Sequence, residues 1–163
     1  MFKNSPFKTA PFKISSETEL LNCFRDLDRD EVLLTQELSF PIIVTDYLTW
    51  LEPSGVRAYL VFKDRSEGAP LGISFRRDQG PGVSPAMCEW CHSVRSGESI
   101  GLLSATASSK RRVGIQLCRD LSCKAKVLAE APGVSDLSST VSAEAKLAGV
   151  VGRMTDFARR QLF

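Results

Sequence analysis

A single histidine, His92, stands in the whole 163-residue chain. The commonest general base is thus nearly absent, and His92 itself sits directly beside a cysteine. There it is better placed to shield a metal site than to move protons. No nucleophile–base pair and no phosphate-binding loop can be found, so no enzymatic activity is expected. Long apolar runs are missing too. Eighteen consecutive apolar residues occur nowhere, and Met1 to Lys13 holds no apolar stretch of signal-peptide length. A soluble, cytoplasmic protein without membrane contact or small-molecule substrate is the expectation. A net charge of +2 leaves no dominant sign. With 43% hydrophobic residues the chain can still bury a core, as one domain rather than two.

Cysteine is scarce but clustered. Of five, four form two close pairs, Cys88-Glu-Trp-Cys91 and Cys118-Arg-Asp-Leu-Ser-Cys123. A structural zinc ion needs four soft ligands at tetrahedral corners, delivered most simply as two pairs that each close a small loop. The first spacing suits a knuckle. The second suits a strand end leading into a helix, which Asp120 or Ser122 can cap and Pro132-Gly133 can stop. Knuckle, hairpin and ligand-bearing helix make a treble clef with one structural zinc on Cys88, Cys91, Cys118 and Cys123. Cys88 to His92 also matches a haem-attachment pattern, but that leaves the second pair without a role. A thioredoxin-like pair requires a strand before it, where Gly82 and Pro85 stand instead. An iron–sulfur cluster satisfies the spacing equally well and stays open. Cys23, on an apolar helix face, is a small buried hydrophobe.

Charge is unevenly spread. Residues 88–126 carry seven basic and three acidic side chains, although part of that excess only balances the −2 of a zinc–tetrathiolate centre. What remains suits an acidic partner surface.

Along the chain, residues 1–13 repeat Phe-Lys around prolines (Phe2, Phe7, Phe12) and read as an extended arm that packs its rings on the domain. Residues 14–163 form a single α+β domain. Ser16 and Glu19 make a capping box for a helix of about three turns through Phe24 and Leu27. Asp26 to Glu31 reads as its solvated end, and Leu33, Leu34 and Leu38 suggest a second short helix. Ile42–Trp50, Val56–Phe62 and Leu71–Arg76 are β-prone runs with short connections, which points to a small antiparallel sheet with flanking helices. The treble clef is expected at about 86–131. Its hairpin strands are Ser99–Thr106 and Val113–Leu117, with a cationic tip of Ala107 to Arg112. A C-terminal helix at about 140–162 carries an apolar stripe of Leu147, Val150, Val151, Met154 and Phe157.

Cys88-Glu-Trp-Cys91-His92, the strand around Gly101, and Gly114-Ile-Gln-Leu-Cys118-Arg-Asp-Leu-Ser-Cys123 with its following helix together resemble the zinc-finger domain of the elongation factor G-binding, fusidic acid resistance family. The helical bundle preceding that domain in the resistance proteins has no counterpart in these residues. The resemblance implies an adaptor that grips elongation factor G and promotes its release from the ribosome. It also implies a partner face on hairpin and knuckle, with Lys110, Arg111, Arg112 and Trp90 in contact. A zinc finger acting on ribosomal or transfer RNA is the alternative, suggested by the Phe-Lys arm and the basic tip.

Overall fold

A computed structural model describes residues 10–64, 68–78, 85–95, 99–130 and 137–163. The chain begins with β1 (Phe12–Ile14), α1 (Glu17–Leu21), α2 (Asp26–Arg29), β2 (Ile42–Val44), β3 (Tyr47–Leu51), β4 (Arg57–Phe62) and β5 (Leu71–Arg77). Then come β6 (Ala86–Met87), β7 (Val94–Arg95), β8 (Ile100–Ser108), β9 (Arg111–Cys118), α3 (Cys123–Glu130) and α4 (Leu137–Phe157), which ends in a π-helical turn, Ala158–Leu162. Strands β3-β4-β5-β8-β9 form one antiparallel sheet in that order, while β1–β2 and β6–β7 are separate two-stranded ribbons. The α+β class and the antiparallel sheet are as expected.

Strand β4 shows why the sheet sits in the middle. Ala58, Leu60 and Phe62 point to one face and Tyr59 and Val61 to the other, all of them buried. An alternation that is apolar on both sides must be covered twice. One cover is α4 with the cysteine-bearing segments, whose Leu147, Val150, Val151 and Met154 join Ile73, Phe75 and Leu103 in the larger core. The other is the N-terminal segment, which brings Ile14, Leu20, Phe24 and Val44 against Trp50, Tyr59 and Val61.

Four expectations need correction. The three-turn helix stops at Leu21: Phe24 leaves it to bridge Gly72, whose N–H donates to the Cys23 carbonyl at 2.8 Å. Leu33 and Leu34 form no helix, because the sheet's aromatic tips use the backbone there. Trp50 Nε1 donates to the Leu33 carbonyl at 3.0 Å, and the Tyr59 hydroxyl accepts from Leu33 N and donates to the Glu31 carbonyl. Ile42–Trp50 is two strands, broken where Asp46 takes φ 69°. The hairpin strands also run further than expected, so that Arg111 and Arg112 belong to β9 and the turn is only Ser109-Lys110.

The end of the arm is paired, Phe12 with Val44, and Phe12 packs on the second core. Phe2 and Phe7 lie outside the described residues, as do Pro132 and Gly133. Helix α4 starts at Leu137, earlier than expected.

The acidic run at Asp26 holds a further difference. Asp28 is 2% exposed rather than solvated. Arg25 Nε donates to its carboxylate at 2.8 Å, while the same guanidinium donates to the carbonyls of Thr106 and Leu162 and lies over the Phe163 ring. One arginine thereby joins the N-terminal segment to β8 and to the end of the chain.

Candidate metal centre

The knuckle is built by the β6–β7 ribbon, which pairs Ala86 with Arg95 and Met87 with Val94. Beyond it, Cys88 N donates to the Ser93 carbonyl at 3.0 Å and His92 N to the Cys88 carbonyl at 2.9 Å. His92 closes the turn in the left-handed region, φ 61°. This conformation aims backbone N–H groups inward, and Cys91 N lies 3.5 Å from Cys88 Sγ. The second pair is delivered differently. Strand β9 ends on Cys118, Leu121 turns the chain at φ 58° with its N–H on the Cys118 carbonyl, and Cys123 opens α3. The Asp120 carboxylate steadies that turn by accepting Ser122 N at 3.1 Å.

These two local devices bring all four Sγ atoms within 4.8 Å of one another. Cys88 and Cys123 sulfurs are 3.7 Å apart, Cys91 and Cys118 sulfurs 3.6 Å. Four Zn–S bonds of about 2.3 Å at tetrahedral angles require edges of about 3.8 Å. Disulfides would need about 2.05 Å. A multi-iron cluster would need several metal atoms between the sulfurs, and this set closes around one. The four cysteines thus hold a single structural zinc ion, with every coordination position taken by protein.

Electrostatics around the site follow from crowding. Cys88, Cys118 and Cys123 are buried and Cys91 half-buried. Hydrogen bonding from Cys118, then Cys123, lowers the Cys88 thiol to about 6, and the same neighbours lower Cys91. Hydrogen bonding with Cys118 and Cys88 raises Cys123 in turn. A bound zinc ion would remove this inequality by holding all four as thiolates. Lys126 Nζ, 3.1 Å from Cys118 Sγ, offsets part of the resulting −2 charge. Burial, followed by the neighbouring Cys123, raises Tyr47 and keeps its hydroxyl neutral. That hydroxyl accepts Lys124 N and donates to the Leu121 carbonyl at 3.4 Å, tying α3 to β3.

Two residues that spacing alone does not reveal anchor the knuckle. Arg153 on α4 donates to the Trp90 carbonyl at 2.7 Å. Glu89 pairs with Gln116 on β9 through N–H to carbonyl at 2.9 Å and Gln116 N to Glu89 carboxylate at 3.0 Å. Trp90 itself corrects an expectation. It is 1% exposed and packs against Phe75 and Phe157, so its indole is core and cannot face a partner. Phe75 from β5 and Phe157 from α4 supply the apolar contacts that draw the indole inward, whereas Glu89, between the same two cysteines as Trp90, stays exposed.

The expected contact cations lie elsewhere. Lys110 sits in the hairpin turn, Arg111 donates to Gln161 Oε1 at 3.1 Å, and Arg112 donates to Thr106 Oγ1 and Ser104 Oγ. All three are exposed. Because Ile100 pairs with Cys118 at the metal end and Ser108 with Arg111 at the other, a hairpin length of about 25 Å separates them from the sulfurs.

Knuckle, hairpin and ligand-bearing helix define a four-cysteine treble-clef zinc-binding domain set into an α+β fold. Residues 17–160 match the family model described as FBP C-terminal treble-clef zinc-finger, and the chain belongs to that family. A solved structure titled "Structure of the fusidic acid resistance protein FusC" aligns at 19% identity with a TM-score of 0.48, covering 84% of this chain and 60% of that one. The chain therefore spans about three fifths of that protein's length. No curated protein matches it. Among the described residues, no helix is long and apolar enough to cross a membrane.

Proposed function

We propose that this domain is a binding module, stiffened by one zinc ion, whose partner is the translational GTPase elongation factor G, and that binding promotes release of the factor from the ribosome. Family membership across residues 17–160 is the observation that carries this reading. Two structural features support it. Four thiolates leave the metal no open position, which favours binding over catalysis. The metal also fixes one end of a long hairpin whose other end presents Lys110, Arg111 and Arg112 to solvent, a charge suited to an acidic protein surface.

Calorimetric titration of the zinc-loaded protein with elongation factor G at two salt concentrations tests the reading. One-to-one binding is expected. Simultaneous replacement of Lys110, Arg111 and Arg112 by alanine should weaken it while leaving zinc content and melting temperature unchanged. No binding by a folded, zinc-loaded protein would refute the proposal.

A further inference from the structure

We infer that the arginine-rich surface where β5 meets the β8–β9 hairpin binds the phosphate backbone of duplex RNA, a second activity that shares Arg112 with the protein-partner face proposed above. Strand register concentrates the charge. Arg76 lies opposite Arg57 on β4 and opposite Ser104 on β8, and Arg112 reaches from β9 to Ser104 Oγ at 3.0 Å. Arg57 ion-pairs with Glu31 at 3.9 Å, while Arg76 is exposed and lines one cleft with Arg112.

Arg76, Arg77 and Arg112 line a cleft of about 510 Å³ together with Leu102. Arg77 continues into a second cleft of about 190 Å³, beside Arg119 and Lys126. Five cations and two acids, Asp78 and Asp120, thus line the two clefts among the described residues. Lys126 is engaged with Cys118 Sγ and Asp120 with Ser122 N, while Arg77 donates to the Gly55 carbonyl, Arg119 to the Asp78 carbonyl and Arg112 to Thr106 Oγ1 and Ser104 Oγ, each of these guanidiniums keeping further N–H donors beyond those bonds. Two of them carry a further signal: Arg77 Nε and Arg119 Nε are buried without a hydrogen-bond partner among the described residues. Buried donors lacking acceptors are costly, and a shift of either side chain towards a bound oxyanion would supply the acceptor.

The surroundings of these arginines select the ligand. No aromatic side chain among the described residues lines either cleft, so the stacking platform that holds single strands is absent. Ser99, Ser104 and Ser122 stand between the arginines instead. Hydroxyls interleaved with guanidiniums match a surface that displays 2′-hydroxyls beside phosphates, as the shallow groove of duplex RNA does.

The test is fluorescence anisotropy of a labelled RNA duplex of about 16 base pairs with the zinc-loaded chain. Four neutralised phosphates give a log–log salt slope of about −3.6, so raising salt from about 50 to about 150 mM should weaken binding about fiftyfold. Replacing Arg76 and Arg112 together by glutamine should reduce that loss to about sevenfold, with Arg76→Lys retaining the original slope and Lys146→Gln serving as a control without effect. Both arginine side chains are exposed, and circular dichroism with a zinc assay verifies the fold of each variant. Absence of binding at about 50 mM salt, or an unchanged salt response in the double variant, overturns the inference. So does tighter binding of a DNA duplex of the same sequence or of polyglutamate.

Discussion

Replacing Gly72 by alanine should destabilise the protein by about 2–3 kcal/mol, towards the upper end of overpacking costs. A Cβ at Gly72 would stand 2.7 Å from Phe24 Cγ and Cδ1 and 2.8 Å from Cδ2, face-on to the ring. Carbon pairs are comfortable at about 3.5–4.0 Å, so the ring must retreat by roughly 1 Å. It has nowhere to go. Trp50 and Tyr59 box it edge-on, with ring centroids 6.0 and 6.2 Å away. Moving the whole segment instead breaks the 2.8 Å bond from Gly72 N to the Cys23 carbonyl. In urea, with a slope of about 2 kcal/mol/M, the unfolding midpoint of zinc-saturated G72A should fall by about 1–1.5 M. Adding Phe24→Leu should cost less in G72A than in the wild type, because the smaller side chain yields to the new methyl group. A midpoint for G72A within about 0.3 M of the wild type would refute the packing argument.

Other perturbations test the metal and the buried ion pair. Burial, and to a lesser degree Glu19, pushes the Cys23 thiol up to about 11 from 9.0. A raised thiol pKa contributes stability that is present below 9.0 and lost as pH rises through 11. At pH 8 Cys23 should therefore react with a thiol reagent about a hundredfold more slowly than an ordinary cysteine, until a strong chelator releases zinc and four thiols appear rapidly. A fast thiol before chelation, or a metal content far from one per chain, would count against the assignment. Arg25→Ala should cost about 3–5 kcal/mol by stranding the Asp28 carboxylate. Burial already raises the Asp28 pKa against the opposing hydrogen bond from Arg25, so the deficit in the variant should narrow as pH falls and the carboxylate takes up a proton. A deficit independent of pH in urea titrations would refute that cause.

The treble clef was legible because its information is local. Each cysteine pair closes its own short turn, the hairpin strands lie next to each other in sequence, and a helix starting at Cys123 follows from the residues around it. The apolar stripe of α4 is similarly written into helical spacing. Elsewhere the deciding partner is distant. The capping box at Ser16 and Glu19 forms, with Ser16 Oγ accepting Glu19 N at 3.2 Å, yet the helix ends early because Gly72 offers Phe24 a flat seat. Trp90 is core because Phe75 and Phe157 arrive from β5 and α4.

The amino-acid sequence alone therefore determined a four-thiolate metal site with its ligands, the strand-rich class and the last helix, all properties set by spacings of a few residues, while the choice between one metal ion and an iron–sulfur cluster waited for the sulfur–sulfur distances. Only the tertiary structure decided where the N-terminal helix stops, that Asp28 is buried with Arg25, and that arginines from β5, β9 and the turn after it share one surface. Those outcomes depend on which strands become neighbours, and that is settled by burying both faces of β4 at once, a condition that no short stretch of chain contains.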